Sequence, residues 1–476
     1  MKHVPVALAI ATLALFSFFI FPGHTYLTQD TQIYVPILEN LWDTSALKND
    51  LLVRHSHVAY TLYDEYAIAL RWLTHSNFRL VLAGTQIVCR AAGICGVFLI
   101  ALSLLQSRWK SLAVAALCAA GAEIWGPAVL LVEFEPSPRA FAIPLFFLAV
   151  GLACHSRFRW AAACATVAFV VHPTSAASFW ICLALLRQWK VGLVSLFAGA
   201  TALAIGAYFQ PGLSEHQNLF SRVAPPLEAI QRLRGMYNWV GMWWGTEWPK
   251  YLACAALGTA AYLRIQSSHS RHPPQWSIVQ VFLLTLPTLG LLSVPVSYLL
   301  LDRAKWAAIP QIQPARLLLF TVTIPILLAA VAAFRCRRLW EAPLWLACAL
   351  TPAIAAPRPR IIPTPGLIEL SRWAAANSPK DAVFLFPQAG KSLEPGLFRS
   401  EALRAVYVDW KSGGQANFLP ESGLEWWHRY QDVMQKPQSL DHYRALGITH
   451  LVYPGYKVVA LSPTPSISPA RSPRKE

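Results

Sequence analysis

Residues 80–105 read LVLAGTQIVCRAAGICGVFLIALSLL, an apolar run whose one charged residue is Arg90. A helix of this length exceeds the roughly 30 Å thickness of a bilayer's hydrocarbon core. Residues 315–334, ARLLLFTVTIPILLAAVAAF, form a second such run, again with a single charged residue, Arg316. Runs of this kind predict transmembrane helices, so they decide the fold class: a polytopic α-helical membrane protein.

The composition of the whole chain agrees with this class. Hydrophobic residues make up 55% of the sequence and charged residues 13%, whereas a soluble domain carries about 25% charged residues. The sequence predicts about eleven transmembrane helices. They are placed at residues 4–22, 80–105, 111–131, 140–155, 159–171, 174–187, 190–208, 249–264, 276–301, 315–334 and 339–356.

The formal net charge of +16 is distributed in short basic clusters between the apolar runs. The clusters are Arg108/Lys110, Arg157/Arg159, Arg187/Lys190, Arg264/Arg271 and Arg335/Arg337/Arg338. They fall in every second connection, which by the positive-inside rule predicts a cytoplasmic N-terminus and an extracytoplasmic C-terminal part. Nucleic-acid binding would require the basic residues on one exposed face, so nucleic acid is excluded as a partner and the lipid bilayer is predicted.

Three parts of the chain are predicted. Residues 1–356 form a transmembrane core with long outer loops at 23–79 and 209–248. Residues 357–460 form a small extracytoplasmic α/β domain because strand-like and helical patterns alternate there, and residues 461–476 form a disordered tail. The predicted strands are Ala382–Phe386, Ala405–Val408 and Ile448–Tyr453, and the predicted helices are Gly366–Asn377, Gly423–Met434 and Leu440–Leu446.

Two acidic motifs lie in predicted outer connections. Asp30, followed by Tyr34, comes shortly after the first apolar run, where a partly desolvated carboxylate is suited to general-base catalysis. The alternative is a solvated loop acid or a helix N-cap. Glu133 and Glu135 precede Arg139 and are candidates for binding a cation or handling a proton, or for internal pairing with Arg139.

Two further motifs lie in the same set of connections. His172 precedes Pro173 at a predicted helix break, where it can donate to a phosphate or titrate near neutral pH. A tight interfacial hairpin is the alternative. Gln313 and Arg316 stand at the start of a later helix, and an arginine fork suits phosphate. The alternative there is an arginine that extends to the lipid headgroups.

The predicted C-terminal domain carries a polar run, Asp409–Gly414, at the end of a strand, where α/β domains bind ligands. Trp426 and Trp427 follow on a helix. Their aromatic faces suit either sugar stacking or docking of the domain on the membrane core, and docking is the favoured interpretation.

These motifs together resemble the C-type (GT-C) membrane glycosyltransferase superfamily. Glu133–Arg139, His172-Pro173-Thr174, Gln313–Arg316 and Arg404–Lys411 are also similar to a group of uncharacterised bacterial polytopic membrane proteins with an HPT motif and a C-terminal domain containing VDWK. The resemblance implies a bacterial inner membrane, a role at the cell envelope, and inverting transfer of a sugar from a polyprenyl-phosphate carrier to an extracytoplasmic acceptor.

The resemblance also implies roles for single residues. Asp30 would accept the proton of the acceptor hydroxyl, and Arg316, with Arg139 and His172, would stabilise the leaving lipid phosphate. Glu133 or Glu135 would orient the acceptor or a divalent metal ion. The superfamily often has a pair of acidic residues in the first loop, whereas Asp30 stands between Gln29 and Thr31, which leaves the metal open.

Two other functional classes stay open from the sequence. One is a lipid or oligosaccharide transporter, although the sequence has no matching halves with broken helices. The other is a non-catalytic subunit of an envelope-polysaccharide machine, in which Asp30 would tolerate substitution.

Overall fold

The structure, a computed structural model, describes residues 4–54, 61–209, 220–267, 275–336, 338, 340–356, 363–434 and 438–461. The predicted tail from residue 462 and part of the loop 209–248 lie outside these residues. The chain up to residue 356 is almost entirely helical. Its helices are α1 Val4–Phe19, α2 Thr31–Trp42, α3 Leu51–Arg54, α4 Tyr63–Thr74, α5 Phe78–Leu105, α6 Arg108–Cys118, α7 Pro138–Cys154, α8 Phe158–Val171, α9 Pro173–Ala176, α10 Ser178–Leu185, α11 Trp189–Phe209, α12 Pro225–Arg234, α13 Trp244–Ser267, α14 Trp276–Ser297, α15 Ile309–Ile312, α16 Leu318–Ala333 and α17 Glu341–Ala355.

Within the described residues, four helices are long and apolar enough to cross a membrane, which makes the chain an integral membrane protein. They are Phe78–Leu105, Trp189–Phe209, Trp276–Arg303 and Ile309–Ala333. Five shorter apolar helices are Pro5–Phe19, Pro138–Cys154, Phe158–Val171, Pro173–Leu185 and Glu341–Ala355. All nine coincide with predicted spans, but a total of eleven spans is not confirmed.

The predicted span 111–131 is wrong as a single helix. Helix α6 ends at Cys118, and two short antiparallel strands follow, β1 Glu123–Ile124 and β2 Val129–Leu130. Gly121 and Gly126 have φ values of +85° and +87°, a region that glycine adopts without a steric penalty. The apolar content of the run predicted a helix, but Gly121 lies between the end of α6 and β1, and Gly126 lies in the turn that joins β1 to β2.

Close helix packing in the core depends on residues without side chains. Helices α5 and α7 cross where Gly96 faces the backbone of Phe147, and Gly151 faces the backbone of Gly96. A Cβ atom at either glycine would overlap its neighbour. This close approach is typical of helix pairs in membranes, where small residues let backbones meet.

The C-terminal domain contains a four-stranded sheet. Its strands are β3 Val383–Leu385, β4 Ala405–Val406, β5 His450–Tyr453 and β6 Lys457–Ala460, and its helices are α18 Pro365–Asn377, α19 Glu394–Ala402, α20 Pro420–Met434 and α21 Leu440–Ala445. The order in the sheet is β4-β3-β5-β6, with the first two pairings parallel and the last antiparallel. Three strands coincide with predicted ones, whereas β6 and α19 had not been predicted.

A buried ionic cluster joins the first long loop to this domain. Arg399 on α19 lies between Asp50 and Asp409, and all three side chains are at most 1% exposed. Arg399 Nε donates to Asp50 Oδ2 at 2.6 Å, and that oxygen also accepts from the Val406 amide at 2.8 Å. Because a buried charge that loses its partner is strongly destabilising, the three side chains must stay together, and the cluster fixes how the domain sits on the loop.

Candidate functional site

A cavity of about 680 Å³ lies where the ends of several core helices meet the C-terminal domain. Six of the eight residues predicted as site residues line it. They are Asp30, Tyr34, Arg139, His172, Gln313 and Arg316. The structure therefore gathers side chains that are separated by up to 286 positions in the sequence (316 − 30). Glu133 and Glu135 do not line this cavity.

Asp30 is held by two cations. Its Oδ1 accepts from Lys411 Nζ at 2.8 Å, and its Oδ2 accepts from Arg139 Nη2 at 2.9 Å. The side chain makes no capping hydrogen bond to α2, although it occupies the N-cap position. Burial alone would raise the pKa of Asp30, but Lys411 and Arg139 outweigh burial and hold the pKa well below its usual value. The carboxylate is thus charged and paired in this structure.

Glu133 holds Arg139 in place through a second ion pair. Arg139 follows Pro138 in the first turn of α7, and its Nε donates to Glu133 Oε1 at 2.8 Å. The side chains of Arg139 and Glu133 are 11% and 9% exposed. Glu133 is therefore paired internally with Arg139, which was one of the two alternatives for this motif. Arg139 is fixed between two carboxylates, those of Glu133 and Asp30.

Glu135 has a different environment from the other acids. It is buried, and its carboxylate accepts four hydrogen bonds from the loop before α2. The donors are Thr28 N at 2.5 Å, Thr28 Oγ1 at 2.7 Å, Gln29 N at 2.7 Å and Thr31 N at 3.0 Å. A carboxylate at a helix N-terminus is favoured by the free amides and the helix dipole. Glu135 thus shapes the loop that carries Asp30.

His172 and Arg316 meet across the cavity wall. His172 separates α8 from α9, and its Nδ1 lies 2.9 Å from Ser175 Oγ. Its Nε2 lies 3.4 Å from Arg316 Nη1. Burial, then the charges of Arg316 and Arg139, lower the pKa of His172 well below its usual value. Arginine can only donate, so the contact with Arg316 favours a neutral ring with its proton on Nδ1, whereas the Ser175 amide, which lies 3.4 Å from the same Nδ1, favours an acceptor there.

Three donors at the cavity are buried without a hydrogen-bond partner among the described residues. They are Arg316 Nε, Gln313 Nε2 and Arg234 Nε. Gln313 has a left-handed backbone conformation, with φ 52° and ψ 56°, and it opens the 3-10 turn Pro314–Leu317 that carries Arg316. Because unpaired buried donors cost about 1–3 kcal/mol each, they indicate a site for an acceptor that arrives from outside.

Four cationic side chains and one carboxylate line the cavity. The polar lining residues that the sequence-based site did not include are Lys411, Arg234, Tyr237, Thr61, Thr174, Gln311 and Gln415. Lys411 belongs to the Asp409–Gly414 run, which had been recognised as ligand-binding but assigned to the domain alone. Arg234 ends the amphipathic helix α12, and its guanidinium lies 4.1 Å from the Trp410 ring. No pattern in the sequence indicates that the segments containing Arg234 and Lys411 lie near Asp30.

One wall of the cavity is apolar and belongs to helices α8 and α11. Phe169 and Val171 contribute from α8, and Leu203, Ala204 and Ala207 contribute from α11. Only 17% of the residues in the most apolar 18-residue stretch of α11 are buried, so most of this helix is uncovered. The cavity therefore joins a charged end to an apolar wall on a largely uncovered helix that is long and apolar enough to cross a membrane.

The tryptophan pair of the C-terminal domain takes no part in lining the cavity. Trp426 is 1% exposed and donates from Nε1 to the Asp409 carbonyl at 2.7 Å. Its ring also packs against Gly413. Trp426 therefore belongs to a buried cluster that the C-terminal domain shares with Leu227, Ile230 and Trp239, so it lies where the domain docks on the core.

The described residues contain no group of three or more His, Cys, Asp or Glu side chains that could hold a metal ion. Both oxygens of Asp30 lie on cations, and Glu133 Oε1 lies on Arg139. These donors do not fit a divalent metal ion, so no step proposed below uses one.

Three comparisons with known proteins give the following findings. Residues 366–433 match a family described as a domain of unknown function, DUF6798. No curated protein matches the sequence. The structure is similar to that of the archaeal oligosaccharyltransferase AglB from Archaeoglobus fulgidus in complex with an inhibitory peptide and a dolichol-phosphate. The similarity covers 95% of this chain and 69% of that chain, at 12% identity and a TM-score of 0.41.

A structural likeness this distant leaves the function to be argued from the site. His172-Pro173-Thr174 lies outside the matched family segment, so the resemblance drawn from that motif stays a prediction.

Proposed function

We propose that the chain is an integral-membrane glycosyltransferase, which transfers a sugar from a polyprenyl-phosphate carrier to an acceptor outside the cytoplasm. The unpaired donors of Arg316 and Gln313 carry the proposal, because they are buried in a cavity rich in cations. A phosphate oxygen would supply the acceptor that they lack. Arginine binds phosphate through a planar fork of donors, which suits Arg316 and Arg139 for this role.

The apolar wall supports a carrier with a hydrocarbon chain. Ala204 and Ala207 lie on the same cavity as the cations, and α11 is largely uncovered. A polyprenyl phosphate has its charge at one end and its apolar chain along the rest. Its phosphate would lie near Arg316 while its chain ran beside α11.

The proposed chemistry is a single inverting displacement. Asp30 takes the proton of the acceptor hydroxyl, and the acceptor oxygen attacks the anomeric carbon from the face opposite the phosphate. The bond from that carbon to the phosphate oxygen breaks, and its electron pair stays on the polyprenyl phosphate. Arg316 and Arg139 stabilise the charge that develops there. The resemblance implied that Glu133 or Glu135 orients the acceptor or a metal ion. In this proposal Glu133 instead holds Arg139, and Glu135 holds the loop that carries Asp30.

The proposal keeps the topology that the basic clusters predict. The N-terminus is cytoplasmic, and the C-terminal domain and the cavity are extracytoplasmic. The five shorter apolar helices, α13, and α6 together with its hairpin complete about eleven spans in a bacterial inner membrane. Lys110 Nζ approaches the Phe334 carbonyl at 3.4 Å, which supports a common basic end of the core, away from the cavity.

The test is protection of the purified protein against thermal unfolding by polyprenyl phosphate. A ligand that binds only the folded state raises the apparent melting temperature as its concentration increases. We expect protection of the wild type and its loss in Arg316→Ala. Arg303→Ala is the matched control, since Arg303 is exposed, lies close by in the sequence and does not line the cavity.

Two results would contradict the proposal. Absence of protection in a folded wild-type sample would favour a non-catalytic subunit of an envelope-polysaccharide machine. Protection without any sugar transfer by the wild type would favour a lipid or oligosaccharide transporter, whereas an Asp30→Asn variant that transfers sugar at the wild-type rate would remove only the assignment of Asp30 as the general base.

A further inference from the structure

Lys411 and Arg139 hold Asp30 in different ways. Arg139 donates to Glu133 at 2.8 Å as well as to Asp30 at 2.9 Å, so it stays anchored if its contact with Asp30 is lost. Within the described residues, the ammonium group of Lys411 has one hydrogen-bond partner, Asp30 Oδ1 at 2.8 Å. Lys411 is therefore the cation that a competing anion would draw away most readily.

The backbone that carries Lys411 is fixed. The Ser412 amide donates to Asp409 Oδ1 at 2.8 Å, and Trp426 Nε1 donates to the Asp409 carbonyl at 2.7 Å. Asp409 itself is paired with the buried Arg399. Lysine has a flexible four-carbon side chain, so its ammonium group can change partners while this backbone stays in place.

We propose that Lys411 is a positioning residue through which the C-terminal domain keeps Asp30 paired until the phosphate of the donor binds, after which Lys411 transfers to the phosphate and Asp30 is released as the base. This inference rests on the proposed function and deepens it. It makes the domain part of the site, since Lys411 lies in the matched segment 366–433 and lines the same cavity as Arg316.

Electrostatic competition supplies the driving force. A phosphate near Arg316 is an anion in the cavity that already contains Asp30, so the two anions compete for the same cations. Loss of Lys411 from Asp30 would raise the pKa of that carboxyl from its depressed value, because one of the two cations that lower it would be gone. A base that gains strength only with donor bound would deprotonate the acceptor only when transfer can follow.

The experiment measures the dissociation constant of polyprenyl phosphate for three variants of the full chain. Asp30→Asn removes the competing anion while keeping the shape of the side chain, so we expect binding about tenfold tighter than in the wild type. Lys411→Met removes the cation and should weaken binding about tenfold. Lys411→Arg retains the charge and should restore affinity close to that of the wild type.

Lys391→Met is the matched control. Lys391 belongs to the same domain and is exposed, and it lies 5.1 Å from the Trp410 ring without lining the cavity. The same loss of charge at Lys391 should leave the affinity unchanged. Thermal unfolding of each variant without ligand separates an effect on stability from an effect on binding.

The outcomes separate this inference from the proposed function. A folded wild type that does not bind polyprenyl phosphate overturns both. Binding by the wild type with unchanged or weaker affinity in Asp30→Asn overturns the transfer of Lys411 alone. Should Asp30→Asn not fold, Lys411→Met decides: unchanged affinity in that variant also overturns the inference.

Discussion

Glu135 shows how a single buried carboxylate can serve structure beside a candidate catalytic residue. Its two oxygens accept four hydrogen bonds from Thr28, Gln29 and Thr31. Three of these donors are backbone amides that would otherwise be unpaired at the start of α2. Asp30 lies within the loop so ordered, and its side chain is thereby presented to the cavity.

We predict that Glu135→Gln lowers the free energy of unfolding by roughly 2 kcal/mol. The new amide group would place a donor against the donors that the carboxylate now accepts, so at least one buried amide loses its partner. Thermal unfolding in detergent measures this. Glu369→Gln, at an exposed position on α18, is the control and should leave the melting temperature unchanged. Equal melting temperatures for both variants would contradict the structural role of Glu135.

The sequence predicted the polar residues of the core more completely than those of the C-terminal domain. Asp30, Arg139, His172 and Arg316 could be found because polar side chains are rare and costly near apolar runs. Lys411 could not be assigned to the same site, since its contact with Asp30 spans 381 positions and arises only when the domain docks. Glu133 and Glu135 were selected from the sequence because they are acidic, but their roles follow from the neighbours that they contact in the structure.

At the level of elements, the sequence predicted where helices lie better than where they end. The run 111–131 has the apolar content of a span, yet α6 ends at Cys118 and a hairpin follows. Apolar content reports burial, whereas the hairpin depends on backbone conformation at Gly121 and Gly126. Strand β6, Lys457–Ala460, had not been predicted although three of its four residues are apolar, because the run is short and lacks the alternation of apolar and polar residues that indicates a half-buried strand.

The joint between the first loop and the C-terminal domain supports a prediction at this scale. Arg399→Met should lower the free energy of unfolding by about 3–5 kcal/mol, because it leaves the carboxylates of Asp50 and Asp409 buried without their cation. Limited proteolysis would then cleave the chain near the domain faster than in the wild type. Arg372→Met, an exposed position on α18, serves as the control.

A triple variant tests the cause of that loss. Asp50→Asn, Arg399→Met and Asp409→Asn together remove all three charges, and removal of a whole buried ionic cluster is often close to neutral. The triple variant should therefore be more stable than Arg399→Met alone. A triple variant that is less stable would mean that the cluster stabilises by its hydrogen bonds and not by charge pairing.

For the whole molecule, the decisive feature is that one cavity has a cationic end and an apolar wall. Its cations come from the core, from α12 and from the C-terminal domain, whereas its apolar wall comes from α8 and the largely uncovered α11. A soluble phosphate would use only the first part. A lipid phosphate would use both, so the length of the hydrocarbon chain should affect affinity.

Ala204→Trp tests this division between the charged end and the apolar wall. Ala204 is exposed on α11 and lines the cavity, so a large side chain there would occupy the volume beside the helix without touching Arg316. We expect binding of a long-chain polyprenyl phosphate to weaken about tenfold, since burial of roughly 50 Å² or more of apolar surface would be lost. Binding of a phosphate with a very short chain, measured in the same detergent, should be unchanged.

Ala200→Trp provides the comparison, because Ala200 is exposed on the same helix and does not line the cavity. Weakening of both ligands by Ala204→Trp would mean that the substitution distorts the charged end, and it would leave the apolar wall without a role in binding. If Ala204→Trp weakens only the binding of the long-chain ligand, the charged end and the apolar wall of the cavity both contribute to binding of one molecule. The membrane-facing helix and the C-terminal domain would then bind opposite ends of the same lipid.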